Sequence, residues 1–474
     1  MQDNNRIREP FFIVVISLLL LFLISFINVE YNLGDFRIHT VDMLSDIKAD
    51  EPEEEILYNN NSDYTQEDIE YYKAGFGFGG IIDKLNDFIE SGKNWEEYYS
   101  KLPAQGVKTP ITGNTKQLSH FFDALKNAKS KGVRIAHYGD SAIEGDLITA
   151  DIRDGLQSRF GGNGAGWLGI ITQDITFRMT TKHSFSSNWE SAALYSNNPK
   201  GLPLGISGEI SIPKGNAWVQ YETTRARRAL RDFSIVKLYY SNAKNSQINY
   251  SFDGGSKQSV ALKTGDGIQE LILQPNGKAK SVRLEFPVAD QGYFYGVSLE
   301  NETGVYIDNL PLRGNSGVDL LQLQPAILKD FAKYLDYKLI ILEFGLNIAG
   351  TRKTDYSWYE REMAKVINHI KAVFPKASIV MISVHDKAMK KGNTFVTDPA
   401  IVTLLETQKK IAQQADVAIW SMFDAMGGEN SMPKWVNANP PLAFKDYIHF
   451  NDQGAAKIAQ LFLDSLMDQF NKYK

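Results

Sequence analysis

Val133-Arg134-Ile135-Ala136-His137-Tyr138-Gly139-Asp140-Ser141 is a short, mostly apolar run that stops abruptly at glycine, aspartate and serine. The run reads as a buried strand, and its ending as a turn at the strand's carboxyl end. Before it, Leu118, Phe121, Phe122, Leu125 and Ala128 recur at helical spacing up to a stop near Gly132. A helix, a strand and a polar turn in succession announce an alternating α/β chain. The alternation resumes far downstream, with helices expected over 320–335, 356–374, 399–414 and 452–470 and apolar strands over 338–344, 378–384 and 417–422. Continuously apolar strands separated by helices are those of a parallel sheet covered on both faces. The fold class is therefore α/β, a three-layer α/β/α parallel sheet.

Between about 171 and 306 the pattern changes. Short β-prone runs at 217–222, 234–240, 247–252, 270–273, 281–286 and 292–299 are separated by Gly, Asn, Asp and Lys turns, which predicts an inserted β-sandwich. Upstream, no charge interrupts 10–29, long enough at 1.5 Å per residue for a membrane-spanning helix. Arg6 and Arg8 precede that run and Asp46, Asp50, Glu51, Glu53, Glu54 and Glu55 follow it, which places the body of the chain outside the membrane. No small-residue cleavage pattern follows, so an uncleaved anchor is expected. Residues 30–65 are polar and acidic without a sustained period and read as a stalk. The expected organisation is an anchor at 1–29, a stalk and lead-in at 30–114, a main domain at 115–171 and 306–474, and the insert at 172–305.

Composition narrows the chemistry. Of 474 residues, 43% are hydrophobic and 23% charged, an ordinary globular balance, and a net charge of −5 with scattered Lys and Arg gives no reason to expect a nucleic-acid partner. With no cysteine, disulfides and thiol catalysis are excluded. The histidines show no metal-ligand spacing, and no cofactor is expected.

Four polar blocks fall at the junctions: Gly139-Asp140-Ser141, Gly314-Asn315-Ser316-Gly317, Gly345-Leu346-Asn347 and Asp446-Tyr447-Ile448-His449. In an open α/β sheet such junctions meet beyond the carboxyl ends of the strands. A serine hydroxyl needs an adjacent imidazole to take its proton, and a carboxylate to orient that imidazole. Asp446 and His449 can supply both from one short loop. Glycine N–H groups and an asparagine amide suit an oxyanion.

These blocks are similar to those of the SGNH (GDSL-like) hydrolase superfamily, over roughly 134–171 and 306–471. The resemblance implies a flavodoxin-like sheet, Ser141 as nucleophile, His449 as base and Asp446 as its orienting acid. It also implies an oxyanion hole from the N–H groups of Ser141 and Gly317 and the amide of Asn347. The family's third block usually ends in aspartate, where this chain has Ile348. A β-sandwich between the first two blocks resembles polysaccharide and peptidoglycan O-acetylesterases, which implies an acylated glycan as substrate. Trp189, Trp218, Tyr221, Tyr293 and Tyr295 are then available to stack on sugar rings. Membrane-tethered relatives can transfer acetyl groups instead, which would require a membrane acyl-transfer partner, and a non-catalytic glycan-binding protein is the third alternative. For a bacterium with an outer membrane, the expected location is the periplasm.

Blander roles stand beside these. Ser141 could cap a helix over 142–160, Asn347 could be a turn residue, and Asp452 is expected to cap the last helix. His137 is expected to be structural, whereas His385, at a strand end, is a candidate to line the site. The glycine-rich segment 160–167 lacks a phosphate-loop lysine and reads as a helix stop followed by a loop at the site's rim.

Overall fold

The computed structural model describes residues 30–33, 36–39 and 101–473, apart from 173–177, 197, 245, 288–291, 302 and 351–354. The anchor expected at 10–29 lies outside the described residues, as does most of the lead-in. Among the described residues no helix is long and apolar enough to cross a membrane. The chain divides into two units, Met1–Asn61 and Ser62–Lys474. In the first, β1 (Glu30–Leu33) and β2 (Phe36–His39) pair antiparallel where a plain stalk is expected; strands of four residues are too short to set up a visible period.

The second unit begins with β3 (Thr112–Gly113), α1 (Ser119–Lys126), β4 (Val133–Gly139) and α2 (Thr149–Phe160). Eleven strands follow: β5 (Gly166–Leu168), β6 (Thr181–Phe185), β7 (Trp189–Ala193), β8 (Glu209–Pro213), β9 (Ala217–Thr223), β10 (Ile235–Ser241), β11 (Gln247–Phe252), β12 (Gln258–Ala261), β13 (Gln269–Leu273), β14 (Ser281–Phe286) and β15 (Tyr293–Glu300). The α/β pattern then returns with β16 (Val305–Pro311), α3 (Pro325–Leu335), β17 (Tyr337–Glu343), α4 (Ser357–Val373) and β18 (Ser378–Ile382). Last come β19 (Ala388–Lys391), β20 (Thr394–Thr397), α5 (Pro399–Gln414), β21 (Ala418–Trp420), α6 (Met422–Met426), α7 (Ser431–Val436) and α8 (Asp452–Lys472).

The central sheet has the order β16-β4-β17-β18-β21-β3, parallel throughout except for β3 at the edge. Numbering its five parallel strands by sequence gives 2-1-3-4-5, the flavodoxin-like order, whose switch point lies between β4 and β17. Alternate residues feed opposite cores. Ala136, Ile340 and Leu342 join Leu328, Phe331, Tyr359, Ile367 and Leu404 from α3, α4 and α5. Ile135, Leu339 and Ile341 join Phe121, Ile152, Ile458 and Phe462 from α1, α2 and α8 on the other face. With both faces covered, every residue of β4 is buried.

The intervening strands form two antiparallel sheets, β13-β10-β15-β8-β7 with β5 beside β15, and β12-β11-β14-β9-β6. Val236, Leu238 and Val297 of one sheet meet Val219, Val282 and Leu284 of the other in a core of their own. The second face of the first sheet is not solvated: Tyr239 and Tyr295 enter the same core as Phe331, and Trp167 stacks on Tyr239 with ring centroids 5.2 Å apart. Tyr221 and Tyr295, offered above as sugar contacts, are buried core residues, since their alternation points them between layers.

Two further expectations are corrected. The helix over 142–160 is broken: a 3-10 turn, Ser141–Asp146, kinks at Gly145 (φ 69°), and regular helix begins only at Thr149. The glycine-rich segment does stop α2, but at the opposite end of the sheet from the expected rim. The Gly161 carbonyl accepts the Val305 N–H at the start of β16, because α2 runs back antiparallel to the strands.

Candidate active site

The carboxyl ends of β4 and β17 lie side by side, with Gly139 paired to Glu343 and the Asp140 N–H donating to the Glu343 carbonyl (3.3 Å). Gly139 is required by crowding: a Cβ there would stand 2.9 Å from Ile143 and 3.0 Å from the Glu343 carbonyl. Beyond it the Asp140 carboxylate, not the Ser141 hydroxyl, caps the turn, its Oδ1 accepting the Ala142 N–H at 3.0 Å. Ser141 is thus released from the capping role that its sequence position allowed. It sits half-buried at the start of the turn.

The second and third blocks converge on Asp140. Asn347 Nδ2 donates to Asp140 Oδ2 (3.0 Å) and to the Asn315 carbonyl (3.0 Å), joining three blocks through one amide. Asn315 Oδ1 accepts the Gly317 N–H at 2.7 Å, and Gly317 adopts φ 89°, where glycine is favoured. In this resting arrangement both Asn347 amide hydrogens and the Gly317 N–H therefore have internal acceptors. Any incoming oxyanion must compete for them or share them. Arg313, in the same loop, pairs with Glu144 at 3.2 Å, three residues beyond Ser141.

Asp446 and His449 form a tight pair. Asp446 Oδ2 accepts His449 Nδ1–H at 2.7 Å, and Oδ1 accepts the N–H groups of Ile448 (2.9 Å) and His449 (3.1 Å). With Nδ1 protonated toward the carboxylate, Nε2 is the basic nitrogen. Burial opposes ionisation of Asp446, yet the bond and charge of His449 and the two backbone donors hold its carboxyl below the ordinary value. Tyr447 between them lies at φ 61°, a left-handed conformation costing about 1–2 kcal/mol for a residue with a side chain. Just past the pair, Asn451 rather than Asp452 caps α8, its Oδ1 accepting the Gly454 N–H at 3.0 Å. Asp452 instead borders a small cavity with Gly145, Asp146, Leu147 and Ala150, so the start of α8 and the segment following Ser141 are neighbours.

Asp140 itself carries no role in the sequence reading, yet burial, reinforced by the charges of Glu343 and Glu144, pushes its carboxyl up to about 7. His137 lies wholly beneath the turn, with Nε2 against Glu343 (3.1 Å) and Nδ1 against Thr149 Oγ1 (3.0 Å), a structural position as expected. His385 does not line the site. It is buried behind the Asp446–His449 turn and donates from Nε2 to the Ile448 carbonyl at 2.7 Å. Burial, with His449 nearby, drops it to about 4, so it is a neutral donor. Among the described residues no cluster of His, Asp or Glu is arranged to hold a metal ion.

The flavodoxin-like order with an antiparallel insert is a fold already seen among solved structures. Among solved structures, one of a peptidoglycan O-acetylesterase superposes with a TM-score of 0.64 at 20% identity, covering 76% of this chain and 99% of that one; at that identity, the likeness establishes a common fold. A family two carbohydrate esterase from Cellvibrio japonicus (TM-score 0.26, 10% identity, 62% of this chain and 99% of that one) and the salicylyl-acyltransferase SsfX3 from a tetracycline biosynthetic pathway (0.28, 15%, 64% and 97%) superpose too little to bear on this chain. No protein-family model and no curated protein matches the sequence.

Proposed function

We propose that this chain is a serine esterase that removes O-acyl groups, O-acetyl foremost, from a cell-surface glycan. The observation that carries the reading is the Asn347 amide bonded to Asp140 and to the Asn315 carbonyl, which gathers three of the four blocks beside Ser141. In the reaction, His449 Nε2 takes the Ser141 proton while Oγ bonds to the acyl carbon, and the carbonyl electrons collect on oxygen opposite the donors of Asn347, Gly317 and Ser141. The imidazolium, stabilised by Asp446, gives the proton to the sugar oxygen as its bond to the acyl carbon breaks, which frees the sugar hydroxyl and leaves an acyl-serine. Water, deprotonated by the same imidazole, then releases the carboxylate and restores the hydroxyl. No step draws on a cofactor.

Incubating the full chain with an acetylated glycan should release acetate and leave a Ser141-bound acetyl visible by intact mass. Ser141→Ala should abolish both signals while circular dichroism stays unchanged. Turnover retained in that variant would remove the mechanism, and acetyl appearing on an added sugar in place of free acetate would redirect it to transfer. The apolar run at 10–29 and the acidic residues that follow support a tether with the enzyme outside the cytoplasmic membrane. Added protease should then digest the body in intact spheroplasts, and full protection would refute that placement.

A further inference from the structure

The turn that carries Asp446 and His449 is not held by its own bonds alone. Besides the bonds of the Asp446 carboxylate, its internal links include the Phe444 N–H to the His449 carbonyl (2.9 Å) and the Tyr447 N–H to the Phe444 carbonyl (3.1 Å). Tyr447 nevertheless has to stay left-handed for the turn to keep its shape. Three contacts from one neighbouring segment oppose its relaxation. His385 donates to the Ile448 carbonyl, the Ala388 N–H donates to the Tyr447 carbonyl at 3.0 Å, and the Phe395 ring lies flat on the Tyr447 ring, 3.6 Å between centroids and 7° from parallel. All three come from the segment that follows β18 and from the hairpin β19–β20. The hairpin base is fixed in turn: Asp386 accepts Thr397 Oγ1–H (2.7 Å) and the Met432 N–H (2.7 Å).

We propose that Phe395 is a positioning residue: through its stack on Tyr447, the β19–β20 hairpin clamps the acid–base turn and keeps Asp446 Oδ2 on His449 Nδ1. The assignment of what the clamp serves rests on the esterase reading, whereas the clamp itself does not. Without the Phe395 ring, Tyr447 relaxes toward right-handed backbone, and the Ile448 and His449 amides lose their shared acceptor on Asp446. A misplacement of about 1 Å costs about 10²-fold in rate even when the reacting groups are unchanged.

Full-length chain, Phe395→Ala, Phe395→Tyr and Tyr447→Gly are compared by hydrogen exchange and by ester turnover. Phe395→Ala should raise exchange of the Ile448 and His449 amides about tenfold, with the core strands unaffected. It should lower kcat about 10²-fold with KM little changed, and Phe395→Tyr, which keeps the stack, should behave as the parent. Glycine at 447 takes the left-handed conformation freely and offers no ring, so in that background Phe395→Ala should have no further effect on exchange. Unaltered exchange in Phe395→Ala, or an equal effect with and without the Tyr447 ring, overturns the clamp. Absence of ester turnover in the parent sinks the esterase reading and leaves the exchange result to decide the clamp.

Discussion

At the scale of single residues, burial pushes the carboxyls of Asp140 and Asp446 up alike, and their neighbours send the net shifts in opposite directions. Asp140 has Ala142 N–H and Asn347 Nδ2 as donors, but its burial, with the carboxylates of Glu343 and Glu144 nearby, raises its carboxyl to about 7. Between the ordinary value near 4 and about 7, the folded chain keeps a proton that the unfolded chain has released, so stability falls as pH rises through that window. Asp140→Asn, compared with the parent by denaturant unfolding at several pH values, should flatten this fall; identical slopes would mean that the carboxyl is not raised. Asp446, held low, contributes stability above the ordinary value and loses it only in more acid solution. Asn347→Ala removes the amide that joins the blocks, and kcat should drop by about 10²–10³, or about 2.7–4 kcal/mol. Ser141, Asp446 and His449 drew notice in the sequence because they stand in polar blocks at junctions of recognisable pattern, and the structure pairs Asp446 with His449. Asp140 was not, since its protonation follows from burial and neighbours that no local spacing reveals.

At the scale of elements, the strands and helices of the doubly covered sheet were readable because each is apolar over its whole length or at helical period. The sequence reading and the structure agree on 399–414, 247–252 and 281–286, and place β17, β18 and α4 within a few residues. The strand β16 was passed over: Asp308 and Asn309 interrupt its apolar pattern. Both polar residues have buried work. Asp308 takes the Arg134 guanidinium in a fork at 2.7 and 2.8 Å and the Tyr337 hydroxyl at 2.7 Å, while Asn309 donates to the Ile143 carbonyl at 2.9 Å in the turn that begins at Ser141. Arg134 also reaches Glu300 and Ser298 on β15, so one guanidinium joins the central sheet to the insert. Despite strong burial, Asp308 and Glu300 keep it charged. Arg134→Ala leaves buried Asp308 without its cation and Glu300 with Lys237 alone, and should cost about 3–5 kcal/mol in denaturant unfolding. A loss within about 0.5 kcal/mol, the range of an ordinary surface change, would show that the network is solvated rather than buried.

On the scale of the molecule, the insert was legible as a separate β pattern, yet its junction with the α/β layers was not. A sequence shows where the period changes from 3.6 to 2, but not that one sheet of the insert turns its second face inward. Trp167 on β5 lies between Tyr239 of the insert and Phe331 of α3, and Tyr295 meets Phe331 edge-on at 5.3 Å. Ile206, Ile210 and Tyr239 thereby share a core with Leu335, Tyr337 and Ile340. A sandwich with a dry, shared face has no independent boundary at which to melt. The full chain should therefore lose insert and α/β layers in one transition, with tryptophan fluorescence and far-ultraviolet circular dichroism superimposing. Phe331→Ala tests the cause, because its ring contributes to the insert side and the helix side together. Truncation should cost about 3–5 kcal/mol and move the single transition to lower denaturant without splitting it. Separation of the two signals in the parent would show that the shared face does not couple the layers. Separation in the variant alone would locate that coupling at this ring.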